Sequence, residues 1–347
     1  MKVRIAEIKD KERWDDFVLS HDAAGPYHLF MWREAIENAY NHKAYYLMAE
    51  KDGQSIKAAL PFVLIKPPFL KGLLVSQPFC DYGGMLTENS DASELIIKQV
   101  MKFAGDLDVK FEVRCKNQNS VLNSCDTVAV ASYKSRMLLD LPESSEILWK
   151  GLKSKLRSQI RRPQKEGLVF ALGKTERLDD FYSVFSRNMQ ALGSPVHSRK
   201  WIESVLDSYD EDAHIGIVYA DKQPVGAGFI LSFRDTVSIP WASTLREYNK
   251  YSPNMMLYWG FLDYACDNGF KYFDFGRSTP GEGTYNFKRQ WGAQPIPLHW
   301  YRLGGSDQKE IDPSNGEFRQ KIETIWSNLP PLLANALGPI LRKYISL

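Results

Sequence analysis

The stretch PYHLFMWREAIENAY, Pro26–Tyr40, occurs a second time in this chain as PVHSRKWIESVLDSY, Pro195–Tyr209. The two copies align without a gap at an offset of 169 positions, and the residues that coincide include the rare types tryptophan and histidine. The matched residues are Pro26, His28, Trp32, Glu34 and Tyr40 with Pro195, His197, Trp201, Glu203 and Tyr209. Self-similarity at a fixed period indicates a duplicated unit, so we predict two similar domains. Residues shared by both copies are interpreted as scaffold, and chemistry is expected where only one copy carries a feature.

Both copies follow the same order of predicted elements. A short strand and a helix precede the shared helix, and a hairpin with alternating apolar residues follows it. Next come a strand (QPFCDYGGML or VSIPWASTL), a helix (Glu94–Ala104 or Asn254–Asn268) and a last strand with Glu112 or Asp274 at matching positions. A helix crossing over to a parallel strand predicts an α/β unit with a mixed sheet. This order resembles the GNAT acyltransferase fold, present here as two tandem domains.

The domain boundaries are predicted from breaks in this pattern. LDLPESSEI interrupts it near residues 141–147, and the repeat ends after Leu303. We therefore predict a first GNAT-like domain over 1–143, a second one carrying the site over 144–305, and a helical tail over 306–347. The tail ends in PPLLANALGPILRKYISL, which is apolar with cations near its end. It is interpreted either as a helix packed back on the core or as a helix lying in a membrane surface.

Composition and charge are those of a globular protein. Hydrophobic residues make up 44% of the 347 residues and charged residues 25%, while the net charge is only +2. Any binding of nucleic acid or another anion must therefore come from a local patch. Aromatic residues reach 13%, which suits large cores and also a cleft for amphipathic ligands.

The cysteines and the N-terminal sequence bear on the compartment. Cys80, Cys115, Cys125 and Cys266 show no CxxC spacing and no clustered histidine. They are interpreted as free thiols in a reducing cytoplasm, and no metal site is predicted. The N-terminus lacks the apolar segment of a signal peptide, and no stretch has the length of a membrane span. We expect a cytoplasmic protein, with peripheral contact to the inner membrane as the further expectation from the tail.

Only the second copy ends in YFDFGRSTPGEGTYNFKRQWG. Asp274, Arg277 and Ser278 should emerge at the end of its last strand, where α/β sheets bind ligands. The glycine-rich loop that follows, with Gly281, Gly283 and Tyr285, suits close approach of a ligand to the backbone.

Beyond this loop, Phe287 is followed by Lys288, and Trp291 by Gly292. Neighbouring side chains of an extended segment point in opposite directions, so a buried Phe287 would turn Lys288 toward the loop. The alternative is that Lys288 and Arg289 are ordinary surface cations and that the loop is only a tight connection.

The second copy also opens with a cationic segment, WKGLKSKLRSQIRRPQKEG. It predicts a helix that ends at Pro163, with Arg157 and Arg161 on one face. That face is interpreted either as a solvated surface or as an electropositive wall for the phosphates of tRNA, a nucleotide-linked sugar or coenzyme A. His197, which matches His28, is expected to pack or cap as His28 does, or alternatively to face the acceptor.

Together, these two segments resemble the FemAB-like branch of the GNAT acyltransferases. Its members carry a glycine-rich loop, then Phe-Lys, then an aromatic residue and a glycine. The matching residues here are Gly281, Gly283, Phe287, Lys288, Trp291 and Gly292. RSQIRRPQKEG is similar to the family's R-x-x-I-R-K-A-x-K-x-G, with Pro163 in place of alanine. The resemblance covers about residues 1–303 and is closest to the FemAB-related proteins encoded beside exosortase and exopolysaccharide systems.

FemAB proteins transfer amino acids from aminoacyl-tRNA to peptidoglycan precursors. The resemblance therefore implies two GNAT domains and a functional lysine at position 288. The chain departs from the relatives in two ways: it lacks the coiled-coil arm that some members insert, and REYNKYSPN does not match the GNAT pyrophosphate loop Q/R-x-x-G-x-G/A. The first departure counts against tRNA as donor and the second against acetyl-CoA, so the resemblance establishes neither donor.

The primary hypothesis is direct acyl or aminoacyl transfer to an amine of a cell-envelope or polysaccharide precursor. Lys288 would stabilise the tetrahedral oxyanion, and Asp274 would accept the amine's proton or orient Lys288. Arg277 and Arg157 would hold phosphate or carboxylate groups.

Two alternatives stay open. One keeps the chemistry but takes an acyl-CoA or an acyl carrier protein as donor. The other is a non-catalytic binding module of an envelope-polysaccharide assembly. No tightly bound cofactor is expected, because the acyl donor is a co-substrate. The expected partners are that donor, which is aminoacyl-tRNA in the primary hypothesis, and an amine-bearing acceptor.

Overall fold

The structure, a computed structural model, describes residues 1–53, 55–124, 129–130, 134–303 and 323–347, with the backbone alone at 124, 129 and 130. The chain divides into two compact units. Of the described residues, unit 1 contains those within 1–134, 297–303 and 343–347, and unit 2 contains 135–296 and 323–342.

The elements follow the predicted order in both halves. The strands are β1 (Lys2–Ile5), β2 (Lys43–Lys51), β3 (Ser55–Ile65), β4 (Leu73–Val75), β5 (Leu86–Thr87), β6 (Lys110–Cys115), β7 (Ala129–Val130), β8 (Ser135–Asp140), β9 (Leu168–Gly173), β10 (Ala213–Ala220), β11 (Gln223–Phe233), β12 (Thr236–Thr244), β13 (Tyr272–Ser278), β14 (Gln294–Pro297) and β15 (His299–Leu303). The helices are α1 (Lys11–Ser20), α2 (Phe30–Tyr40), α3 (Ser90–Asp106), α4 (Ser120–Ser124), α5 (Ser145–Gly151), α6 (Ser154–Lys165), α7 (Leu178–Ala191), α8 (Arg199–Tyr209), α9 (Pro253–Asp267), α10 (Gly283–Gln290) and the C-terminal helix (Pro331–Arg342).

Each unit is built on one mixed sheet. Among the described residues, the unit 1 sheet has the order β1-β2-β3-β4-β6-β15-β7, with β5 also paired to β3, and the unit 2 sheet has the order β14-β8-β13-β12-β11-β10-β9. The parallel pair is β4–β6 in one sheet and β12–β13 in the other, and α3 or α9 crosses over between its strands. The predicted mixed-sheet α/β class with a duplicated unit and a helical tail is confirmed.

The repeated segment forms the same local structure twice. α2 and α8 occupy the two copies, and their tryptophans, Trp32 and Trp201, are fully buried. His28 and His197 are also buried. The residues that coincide in sequence are thus core positions, as expected of shared scaffold.

The units differ from the predicted domains at their edges. β8 precedes the predicted boundary at 143/144 but pairs with β13 in unit 2, and β15 precedes 305 but pairs with β6 in unit 1. The strand that follows the crossover helix is β6 in unit 1 and β13 in unit 2, and we call it the crossover strand. Each crossover strand therefore has an antiparallel neighbour that comes from the other half of the chain. The predicted tail is also divided, with 323–342 in unit 2 and 343–347 in unit 1.

Two local predictions are wrong. The strand expected over QPFCDYGGML is irregular up to Leu86, because Gln77 and Phe79 have positive φ angles of 52° and 68°, which break an extended strand. Pro163 does not end α6, which continues to Lys165. Proline removes one N–H bond, but the last turn is completed by bonds such as the Glu166 amide to the Arg162 carbonyl at 3.1 Å.

Candidate active site

The end of β13 has an irregular backbone. Its register against β8 shifts between Asp274 and Arg277, and Gly276 between them has a φ of 71°. A bulge of this kind re-aims the side chains and carbonyls that follow, and glycine adopts the positive φ without strain. Among the described residues, β12 and β13 pair only as far as Ser238–Asp274, although both strands continue. The ladder between these two strands therefore ends next to Phe275–Ser278.

Lys288 lies on a helix, so the expectation of an extended Phe287–Lys288 segment is wrong. Neighbouring positions of α10 are about 100° apart, which still separates the two side chains. Phe287 packs edge-on against Tyr258 and Trp291, with ring centroids 5.0 and 6.3 Å away. Lys288 is turned inward and only 8% exposed, whereas Arg289 is exposed. Lys288 is therefore not an ordinary surface cation.

The Lys288 ammonium is held by the bulged end of β13. Its Nζ donates to the carbonyl oxygen of Arg277 at 2.7 Å and to that of Gly276 at 3.2 Å. Burying a cation is costly unless acceptors surround it, and these two carbonyls meet part of that requirement. The position of the charge is thus set by the backbone path of the strand end.

Asp274 is buried, and both of its carboxylate oxygens are engaged. Oδ2 accepts from Nε of Arg136 on β8 at 2.5 Å, and Oδ1 accepts from the amide of Gly276 at 2.9 Å. Asp274 therefore reaches Lys288 through the backbone of Gly276, whose amide binds the carboxylate and whose carbonyl binds the ammonium. This geometry favours the predicted orienting role over the proton-accepting role.

Sequence reasoning missed Arg136 and Gly276. An isolated glycine inside a strand pattern is a known signal of a bulge and could have identified Gly276. Arg136 lies 138 positions from Asp274, and no local signal links the two residues.

Unit 1 provides an internal comparison for Asp274. Its counterpart Glu112 accepts from Arg114 at 2.6 Å and from Arg302 of β15 at 2.8 Å. Burial raises the pKa of Glu112, but the charges and hydrogen bonds of the two arginines outweigh burial and lower it. In both units the acid on the crossover strand binds an arginine on the antiparallel neighbour. The acid–arginine pair is thus shared, whereas Lys288 occurs in one copy only.

Two residues that the sequence assigns to the site carry buried polar atoms at the end of β13 and just after α10. Ser278 is 4% exposed, and Trp291 follows α10 and is also buried. Within the described part of the chain, neither the Ser278 hydroxyl nor the Trp291 indole nitrogen has a hydrogen-bond partner. An unpaired buried polar atom costs free energy, so these atoms are suited to the polar groups of a bound molecule.

The predicted loop is open on its outer side. Gly281 has a φ of 87°, which requires glycine, and Gly283 begins α10. A Cβ added at either position would meet no atom within 4 Å. Tyr285 is half-buried against the core of unit 2, with the Arg289 guanidinium 6.0 Å from its ring. Other parts of the protein therefore do not close off either glycine position.

Arg157 is not brought to this strand end by any contact of the described residues. It is half-buried on α6 and donates to the carbonyl of Lys150 at 3.4 Å. Leu156 and Ile160 of α6 are buried, and Arg161 lies over the Trp149 ring at 5.1 Å. A role for Arg157 in binding phosphate stays a prediction.

His197 is part of the core. Its Nε2 accepts from Arg342 of the C-terminal helix at 3.1 Å, and its ring lies 5.9 Å from that of Trp201. Burial and the neighbouring Arg342 charge lower the pKa of His197 well below its usual value. His28 is similarly buried and binds Gly25 and Gly84. This placement favours packing in both copies over contact between His197 and an acceptor.

Among the described residues, the cysteine thiols and the acidic side chains outside this region form no competing candidate site. Cys80, Cys115 and Cys266 are buried free thiols, while Cys125 lies outside the described residues. Across the described ranges, no three histidine, cysteine, aspartate or glutamate side chains are grouped in a way that could hold a metal ion.

The part of the chain that contains Lys288 also matches a known family. Residues 150–289 match the model described as the acetyltransferase (GNAT) domain. This segment is therefore similar to GNAT acyltransferase domains. The GNAT match includes the bulged strand, the glycine loop and Lys288, and it ends before Trp291.

Solved structures extend the likeness to both halves. FemX is 14% identical, with a TM-score of 0.67 over 87% of this chain and 97% of FemX. The C-terminal domain of a protein described as a lysylphosphatidylglycerol synthetase, from Agrobacterium fabrum, is 12% identical, with a TM-score of 0.57 over 86% of this chain and 93% of that domain. A tandem GNAT protein of the clavulanic acid biosynthesis pathway is 10% identical, with a TM-score of 0.55 over 88% of this chain and all of that protein. No curated protein matches the chain.

At these identities the structural likeness concerns the fold. The tandem GNAT fold and the FemAB-like resemblance are confirmed at that level, and the domain match confirms an acyltransferase. An acyltransferase requires an acyl donor and an acceptor, so the enzymatic hypotheses are favoured over the non-catalytic module.

Proposed function

We propose that this protein transfers an aminoacyl group from aminoacyl-tRNA directly to an amine of a cell-envelope or polysaccharide precursor. The observation that carries the proposal is the buried ammonium of Lys288, held by two carbonyls at the end of β13 in the half that contains the GNAT match. A fixed positive charge beside an open loop is what an acyl-transfer oxyanion requires.

In the proposed step, the acceptor amine attacks the ester carbonyl carbon of the aminoacyl-tRNA. A C–N bond forms, the ester C–O bond breaks, and the amine's proton leaves with the ribose oxygen. Lys288 donates a hydrogen bond to the oxyanion of the tetrahedral intermediate. One well-placed donor contributes about 3–4 kcal/mol to such a transition state.

Asp274 and Arg136 act as positioning residues in this proposal. Asp274 binds the amide of Gly276, and the carbonyl of Gly276 binds Lys288. Arg136 in turn holds the carboxylate. Because both oxygens of Asp274 are engaged, we assign the proton transfer to the reacting partners rather than to this carboxylate.

The loop before α9 supports aminoacyl-tRNA over acetyl-CoA as donor. A pyrophosphate cradle needs several backbone N–H groups directed at the ligand. Here the amides of Tyr248, Ser252 and Met255 each donate to a carbonyl of the same segment at 3.0 Å, and Pro253 has no N–H. The relative named for lysylphosphatidylglycerol, an aminoacylated lipid, has the same fold and points in the same direction.

An acyl-CoA or acyl carrier protein is the second candidate donor. The family model matched by residues 150–289 is described as an acetyltransferase domain, which favours a thioester donor. The oxyanion chemistry at Lys288 would be the same with either donor.

The test compares donors and lysine variants. The full chain is incubated with envelope extract and either radiolabelled aminoacyl-tRNA or radiolabelled acetyl-CoA, with and without ribonuclease. We expect RNase-sensitive transfer that falls at least about 10²-fold in Lys288→Met, since the oxyanion loses its donor. Arg289→Met is the matched control, because Arg289 is the exposed neighbour on the same helix.

Each outcome decides between the hypotheses. RNase-resistant transfer from acetyl-CoA alone would replace the donor but keep the chemistry. Transfer unchanged in a folded Lys288→Met variant would remove this lysine from the mechanism. Absence of transfer from either donor would contradict the proposal and favour the binding module.

A further inference from the structure

The C-terminal helix packs on unit 2 through its small residues. Ala334 and Gly338, one turn apart, are its buried positions. A Cβ added at Gly338 would come within 3.2 Å of Val196, so this contact is close. At the end of the helix, Arg342 donates to the buried ring of His197. One face of the helix is therefore fixed to the protein.

The opposite side of the same helix is apolar and exposed. Its large side chains are between 43% and 85% exposed. They are Leu332, Leu333, Leu337, Ile340 and Leu341. At about 100° per residue, all of them fall within one half of the helix circumference. Four of them lie about 60° or more from Ala334 and Gly338, while Leu341 borders Ala334. A continuous row of exposed apolar side chains on a folded protein marks an interaction surface.

The charges around this row indicate which partner covers it. From Leu329 to Leu347 the side chains include no acid, and the two cations, Arg342 and Lys343, adjoin the C-terminal end of the helix. Leucine and isoleucine beside cations match the boundary of an anionic bilayer, where acyl chains lie next to negative headgroups. A second copy of the chain would bring four cations together with no acid from this segment.

We propose that the C-terminal helix docks the protein on a membrane surface that contains anionic lipid, lying in the interface with the row Leu332–Leu341 directed into it. The helix is not a membrane span: within the described residues, no helix combines the length and apolar character that crossing a membrane requires. A single short helix gives reversible attachment. This inference does not depend on the transferase reaction.

Flotation of the full-length chain with vesicles tests the proposal. The vesicles are phosphatidylcholine alone or phosphatidylcholine mixed with phosphatidylglycerol. We expect flotation with the mixed vesicles, weaker flotation with phosphatidylcholine alone, and partial release at high salt. The double variant Leu333→Glu/Leu337→Glu should bind at least about tenfold more weakly, since two buried apolar contacts become charges.

A matched control separates this surface from general exposed hydrophobicity. Ile147 on α5 is 51% exposed, so Ile147→Glu makes a comparable change on another helix and should bind vesicles as the unmodified chain does. Because all the altered side chains are exposed, unfolding midpoints should be unchanged in every variant.

Three results would overturn the proposal. The first is that the protein floats with neither kind of vesicle. The second is that it floats equally with both kinds, or that the double variant floats as well as the unmodified chain. The third is a dimer in sedimentation that dissociates in the double variant while vesicles are not bound, which would assign the row to a second copy. Since no transfer is measured, failure here would leave the proposed reaction standing.

Discussion

Replacing the carboxylate of Asp274 separates an orienting role from a proton-accepting one. In Asp274→Asn, the remaining Oδ1 still accepts from the amide of Gly276, so the glycine whose carbonyl binds Lys288 stays anchored. What is lost is the charge that faces Arg136 at 2.5 Å in the interior. Removing one partner of a buried ion pair costs about 3–5 kcal/mol, because the other charge stays in a poorly solvating environment.

The double variant Arg136→Met/Asp274→Asn removes that penalty. It leaves no charge at the former pair and keeps the hydrogen bond to Gly276, so most of the lost stability should return. A double-mutant cycle in chemical unfolding, followed by tryptophan fluorescence, should give a coupling energy of at least about 3 kcal/mol, because each single variant carries a penalty that the double variant lacks. A coupling near zero would mean that the pair does not stabilise this strand end.

The transfer assay on the same double variant completes the argument. If Asp274 only positions the backbone, kcat should stay within about tenfold of the unmodified chain. If it accepts the proton, kcat should fall by about 10²–10⁴-fold although the fold is intact. A stable but inactive double variant would therefore refute the positioning role. The Arg136→Met single variant controls for loss of the arginine itself.

Two further predictions concern buried polar groups. Ser278→Ala removes a buried hydroxyl that has no hydrogen-bond partner among the described residues, so the free energy of unfolding should stay the same or rise, while KM should increase if the hydroxyl binds substrate. An unchanged KM would exclude Ser278 from the binding site. Burial lowers the pKa of His28 from its usual 6.5 to about 4, so the unfolded chain binds more protons between these values. As the pH drops from 6.5 to 4, this ring should therefore lower the free energy of unfolding by about 3 kcal/mol. His28→Asn should lose this part of the dependence of the unfolding free energy on pH. An unchanged pH dependence in the variant would contradict the prediction.

The duplication made much of the fold predictable from the sequence. Trp32 and Trp201 coincide in the repeat because each fills the same core position. β3 and β11 could be recognised from their alternating apolar residues, although the structure buries both strands at nearly every position. The features that failed depend on long-range partners. No local pattern states that β8 pairs with β13 or that β15 pairs with β6, because strand propensity does not specify the neighbour.

The candidate site was predictable in part for the same reason. Lys288 could be identified because it stands in a segment without a counterpart in the first copy. The role of Asp274 could not, because it depends on Arg136, 138 positions away, and on the bulge at Gly276. The interior position of Lys288 also follows from helical geometry in α10 rather than from the alternation assumed for an extended segment.

The two units together suggest how a site arose on a repeated scaffold. Glu112 and Asp274 each bind an arginine of the neighbouring strand. A buried acid–arginine pair is therefore compatible with a unit whose sequence has no counterpart of the glycine-rich loop or of Lys288. In unit 2, the same pair also stabilises a bulge whose carbonyls hold Lys288. In the proposed function, the structural pair contributes to catalysis only through the residues added after it. Exchanging Asp274 should therefore affect stability first and catalysis through geometry, whereas exchanging Lys288 should affect catalysis directly.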